Sequence, residues 1–165
     1  MLSDEDFNKV KNFLGRDPEG SKEVLVRDKN GNPRVIRVSA YFNKTPFPTI
    51  YWLVCPILKK RIDEIEASGF IKHLESEVFL KGSDLLFELE ADQRRCIESR
   101  MNSIKDDGIE KDIPEKILRS FQERGIGGIQ KFEQVRCLHM HYAFHLVHGG
   151  VVGRLLDEKF QLSQL

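Results

Sequence analysis

The 165-residue chain is long enough to bury one sizeable core, and its 26 basic and 26 acidic residues cancel to a formal charge of zero. That balance leaves no basic excess to suggest nucleic acid as a partner. A content of 40% hydrophobic and 32% charged residues fits a globular protein in water, and no apolar run approaches the roughly 18 residues that a membrane span requires.

Three widely separated cysteines do not make a disulfide framework. The acidic start Met1-Leu-Ser-Asp-Glu-Asp6 lacks the basic region of a signal peptide. The expected setting is the cytoplasm, with reduced thiols.

Ser3 to about Leu14 has the start signals of a helix. Ser3 is a capping residue with Asp6 in the reciprocal position, Leu2 can staple onto Phe7, and Phe7, Val10 and Leu14 form an apolar stripe. Gly15–Gly20 is turn-rich. Glu23–Arg27 and Arg34–Ser39 predict two strands joined at Asn30-Gly31, a strong hairpin signal. Thr49–Val54 predicts a buried third strand.

Cys55-Pro56 marks a switch to helix, because proline suits the first helical turn. Ile57, Leu58, Ile62 and Ile65 then form a face that ends near Gly69. A further helix is expected over Phe70–Leu80. Ser83 can cap a long helix to about Lys105, with a stripe of Leu86, Leu89, Ile97, Met101 and Ile104 and its charges on a solvated face. Pro114 opens another helix to about Glu123, and Gly153–Gln161 predicts a short final one. Gly125-Ile-Gly-Gly-Ile129 fits no phosphate-loop pattern and follows a predicted helix, so it reads as a connection needing positive φ.

The chemically unusual stretch is Cys137-Leu-His-Met-His-Tyr-Ala-Phe-His-Leu-Val-His148, which holds four of the five histidines. Gly149-Gly150 would stop it as a helix, and its apolar remainder suits a buried central position. At about 100° per residue, Cys137, His141, His145 and His148 fall within roughly 80° of one another, with His139 nearly opposite. The span is about 16 Å at 1.5 Å per residue, so one ion cannot take all four. The expected zinc-like set is His141 with Cys137 or His145, completed by Cys55 at the strand-to-helix corner; His139 and His148 are alternates. The competing reading makes the cysteine a small buried hydrophobe and the histidines hydrogen-bonded core residues.

Several blocks together resemble one bacterial family. They are Phe13-Leu-Gly-Arg16 with Pro18 and Gly20, Thr45-Pro-Phe-Pro-Thr-Ile-Tyr-Trp-Leu-Val-Cys-Pro56, Ile65-Glu-Ala-Ser-Gly69, Gly127-Gly128, Val135-Arg-Cys-Leu-His139 and Val152-Gly153. They look like domain of unknown function 501. The resemblance transfers no activity; the location of some members' genes near cell-division and phosphatase genes implies at most a process. Many members carry Cys-Pro-Cys-Gly in the first hairpin, where this chain reads Asp28-Lys-Asn-Gly31.

The expected fold is α+β: a mostly helical single domain with an antiparallel N-terminal sheet of about three strands on a buried C-terminal helix. Residues 1–55 form the helix-plus-sheet part and 56–165 the helical part. The leading functional expectation is a metal-binding (zinc-like) or small-ligand domain built on the Cys/His face. One alternative is a non-enzymatic interaction module presenting Tyr41-Phe42 and Phe47-Pro48 to an unknown protein partner, with the link to bacterial cell division that the resemblance implies. A weaker one is a metal- or thiol-dependent hydrolase using Cys137 or Cys55, with Arg124, Lys131 or Arg136 as anion contacts.

Overall fold

A computed structural model describes residues 1–165 as an α+β fold, 57% helical, with seven helices and a small three-stranded antiparallel sheet near the N-terminus. Helix α1 (Asp4–Leu14) begins where Ser3 accepts a hydrogen bond from the Asp6 amide and donates to the Asp6 carboxylate. Gly15 ends it at φ 69°, a left-handed conformation that glycine adopts without a Cβ penalty.

Strands β1 (Ser21–Arg27) and β2 (Pro33–Val38) form the expected hairpin. Its turn is organised by Asp28, whose carboxylate accepts from the amides of Asn30 and Asn32 and the Asn32 side chain. A two-residue pair, β3 (Tyr41–Phe42) and β4 (Thr45–Pro46), precedes β5 (Tyr51–Leu53). The sheet order is β1-β2-β5, with Val35 opposite Leu53 and Ile36 opposite Trp52.

Both faces of the sheet are covered, and the period of two along β2 divides its residues between them. Val35, with Tyr51 and Leu53 of β5, joins a core cluster of 27 residues shared with the helices. Ile36 and Val38 point the other way, onto Val10 of α1.

Helix α2 (Pro56–Ala67) starts on Pro56 with Cys55 at its N-cap, and buries Leu58, Ile62 and Ile65. Ile57 is 61% exposed, because positions i, i+4 and i+7 from Leu58 complete the stripe without it. The helix expected over Phe70–Leu80 begins as α3 (Phe70–His73) and continues without a break as a π-helical turn over Leu74–Val78.

Helix α4 (Asp84–Asp106) is capped by Ser83 as expected, and its buried face is wider than the expected one and only partly coincides with it. Asp92, Gln93, Cys96, Arg100 and Ser103 are buried with Leu86, Leu89 and Ile104, whereas Ile97 and Met101 are only half-buried. The charges of α4 therefore do not all lie on a solvated face.

Arg100 is 0% exposed and has no carboxylate partner. Its Nε donates to the Pro48 carbonyl at 2.6 Å and its Nη1 to the carbonyls of Phe121 and Arg124 at 2.6 and 2.7 Å. Nη2 donates to Gly125 and faces the Cys96 sulfur. Helix α5 (Glu115–Glu123) thus ends on a guanidinium, which satisfies carbonyls at its C-terminus and complements the helix dipole. Burial lowers the Arg100 pKa, but the group stays charged.

The glycine-rich loop is closed on itself. Gly125 donates to Ile129, Gly128 donates to Gly125, and the Ile126 amide donates to Gln93 Oε1 at 2.7 Å. Those amides are committed within the protein and form no phosphate cradle.

Helices α6 (Leu138–His148) and α7 (Val151–Phe160) form a tight pair across Gly149-Gly150. Asp92 accepts the Val151 amide at 2.7 Å, placing a carboxylate at the N-terminus of α7.

Two substitutions check this packing. Arg100→Met, which keeps the stem but orphans the carbonyls, should cost about 3 kcal/mol or more in urea unfolding, and Arg100→Lys should recover only part of the loss. Gly→Ala in a helix normally stabilises. Gly153→Ala should instead destabilise by about 1–3 kcal/mol, because its Cβ would lie 2.1 Å from His145 side-chain atoms.

Candidate functional site

Cys137 precedes α6 rather than lying on it. It is the N-cap, extended at φ −150° and ψ 121°, and the helix begins one residue later. The angular projection that grouped Cys137 with His141, His145 and His148 holds only within a helix, so it fails for the first member. The extended cap turns the thiol toward His139, the residue expected on the opposite side: Sγ lies 3.7 Å from His139 Nδ1.

Helix α2 supplies the rest. Lys59, Asp63 and Glu66 are spaced i, i+4, i+7 and share one face of that helix. Glu66 Oε1 is 3.3 Å from His139 Nδ1 and accepts the Leu138 amide at 2.7 Å, a carboxylate on the first turn of α6. On the far side of the imidazole, Nε2 is 2.9 Å from Asp63 Oδ1 and 3.3 Å from the Lys59 carbonyl.

Glu66, Cys137 and His139 therefore offer an oxygen, a sulfur and a nitrogen, all within 4.8 Å of one another. They are the one group of three or more such donors in the chain. Hydrogen bonding to the Cys137 sulfur, then the Cys137 and Glu66 charges and the Lys59 carbonyl, outweigh partial burial and raise the His139 pKa to about 9.

The other expected donors are spread over separate environments. His145 Nδ1 accepts the Gly150 amide, which leaves Nε2–H to donate to Asp157 Oδ2 at 3.1 Å, and Asp157 also accepts from the Tyr142 hydroxyl. His148 Nε2 meets the Tyr51 hydroxyl at 2.8 Å and the Ser99 hydroxyl at 3.1 Å, and burial with the nearby Arg95 lowers its pKa. Cys55 caps the start of α2 without a side-chain hydrogen bond. His141 is 2% exposed with its Nε2 unpartnered, and burial alone lowers its pKa to about 3.

Cys137 and the alternate His139 thus come together, whereas Cys55, His141, His145 and His148 do not join them. Glu66 and Asp63 were missed. The signal available in the sequence was the Lys59/Asp63/Glu66 stripe, which has the spacing of a single helix face.

The proposed aromatic partner surface is split. Phe47 packs edge-on against Trp52 at 5.6 Å, and the Pro48 carbonyl is held by Arg100. Phe42, 36% exposed, remains at the surface.

The family model described as protein of unknown function (DUF501) matches residues 24–158. The chain belongs to this family. No curated protein and no solved structure matches it. No helix of this DUF501 chain is long and apolar enough to cross a membrane.

The buried histidine makes a pH prediction with a definite sign. Below about pH 6.5 an unfolded chain protonates His141, whereas the folded protein keeps it neutral down to about pH 3, so acid favours unfolding. His141 should therefore reduce stability by up to about 1.4 kcal/mol per pH unit across that window. Urea titrations of wild type and His141→Leu between pH 7 and 4 should show a shallower acid limb in the variant.

Proposed function

We propose that this protein binds a divalent zinc-like cation through Glu66, Cys137 and His139, with one coordination position left for another ligand. The observation that carries this reading is the orientation of His139 between two kinds of partner. Its Nδ1 faces the thiol at 3.7 Å and the Glu66 carboxylate at 3.3 Å, while Nε2 faces the Asp63 carboxylate at 2.9 Å.

Tetrahedral zinc with bonds of about 2.0–2.3 Å spaces its ligands by roughly 3.3–3.8 Å, and both Nδ1 separations fall in that range. The metal would take the place of the Nδ1 proton. Asp63 would then accept from Nε2–H, the outer-shell contact that fixes a ligating histidine's tautomer. A thiolate and a carboxylate together neutralise a dication, which suits a partly buried centre. Three protein ligands with an open fourth position is the arrangement of reactive rather than purely structural zinc sites.

The Cys137–His139 contact also favours a second reading, in which the thiol is a nucleophile and the imidazole its proton partner. The two make opposite demands on the thiol: a bound metal shields it, whereas a nucleophile must reach its substrate.

Zinc analysis of untagged protein should find near-stoichiometric metal in wild type, lost in Cys137→Ser and His139→Ala and retained in Cys55→Ser and His145→Ala. Added zinc should protect Cys137 from alkylation by iodoacetamide. A wild-type protein that neither carries nor takes up zinc, yet alkylates rapidly at Cys137, would replace the metal reading with the nucleophile reading.

A further inference from the structure

Beside the candidate metal centre lies a cavity of about 220 Å³ whose wall includes Cys137 and His139. It is smaller than the roughly 300–1,000 Å³ of sites for drug-sized ligands, so its capacity is that of a small metabolite. Trp52 and Met140 give it an apolar side, and Arg16 and Lys59 give it two positive charges. No carboxylate lines it.

The left-handed turn at Gly15 carries Arg16 back over the sheet, where its guanidinium stacks on Trp52 at 5.0 Å from the ring centre. Neither Arg16 nor Lys59 forms an ion pair; the nearby carboxylates of Asp63 and Glu66 are engaged by His139 and by the α6 amide. A dication held by one thiolate and one carboxylate would add no negative charge to offset them. The cavity therefore combines an apolar wall, two cations without ion-pair partners and two ligands of the proposed metal.

We propose that this cavity binds a small organic oxyanion, a carboxylate or a phosphate monoester. Its charged end lies between Arg16, Lys59 and the metal's open position, and its apolar body rests against Trp52 and Met140. The inference builds on the metal reading and names the ligand class of that same site. Guanidinium supplies a fork of donors suited to oxyanions, and Lys59 supplies a point charge. The shared chemistry is the oxyanion, so the two ligand sources differ only in the group that carries it.

Trp52 is the only tryptophan, so its fluorescence reports directly from the cavity wall. Zinc-loaded protein should be titrated with butyrate, ethyl phosphate and, as an uncharged control, butanol. A saturable change with at least one anion at about 1 mM or tighter, and none with butanol, is the expected result. A response to butyrate alone identifies a carboxylate site, and a response to ethyl phosphate alone a phosphate site. Arg16→Ala and Lys59→Ala should each weaken anion binding about tenfold, and Arg16→Ala should do so without loss of zinc.

If zinc binds but neither anion does, or if butanol binds as well as butyrate, the oxyanion proposal is overturned and the metal reading survives. If zinc does not bind, the metal reading fails. The same titration of metal-free protein then decides the anion question on Arg16 and Lys59 alone: saturable binding weakened by both variants sustains it, and silence overturns it.

Discussion

The fully buried Arg100 is the constraint on which the architecture rests. A guanidinium without a carboxylate is tolerable in a core only if its donors are met, and here backbone carbonyls meet them. Those carbonyls belong to the segment entering β5 and to the continuous stretch where α5 runs into the glycine loop, two regions far apart in the chain with no local reason to converge. Gln93, two turns earlier on α4, repeats the logic by accepting the Ile126 amide and donating to the Gln134 carbonyl. The Gly125 position completes the fit, since a Cβ there would lie 2.2 Å from Gln93 Oε1.

This anchoring carries through to the candidate site. From the glycine loop the chain runs without regular structure to Cys137, and carboxylates of the preceding helical segments hold it: Glu75 accepts the Val135 amide and Glu66 the Leu138 amide. Glu66 therefore has two roles. It satisfies a donor at the first turn of α6, and it stands beside the thiol and imidazole that this turn presents. A cap and a candidate donor group that share one carboxylate tie site geometry to helix packing, so changes at Glu66 act on stability as well as on the site.

The sheet contributes by being covered on both faces. Its alternation sends Val35 into the helical core and Ile36 toward α1. On the α1 side, Trp52 remains partly open beneath Arg16. The cavity lies where α1, β5, α2 and the start of α6 meet, and a concave surface with no lining carboxylate results from that junction rather than from any one element.

The sequence by itself determined the pieces whose physics is local. The Ser3 and Ser83 caps, the Asn30-Gly31 hairpin, the Pro56 start of α2 and the Gly149 stop each depend on side chains within a few residues of the backbone they govern. The α+β fold with its three-stranded sheet followed from these and from the strand patterns, and family membership from the Thr45–Pro56 and Val135–His139 blocks. Tertiary structure alone decided which charges of α4 are buried, because Asp92 and Arg100 find their partners 59 and up to 52 positions away. It also decided the donor set. Periodicity marked the helix but gave Cys137 a helical phase that an N-cap does not have, and Glu66 lies 72 positions before the amide it caps. Spacing along one helix can rank its own residues; it cannot show which face of another helix will arrive beside them.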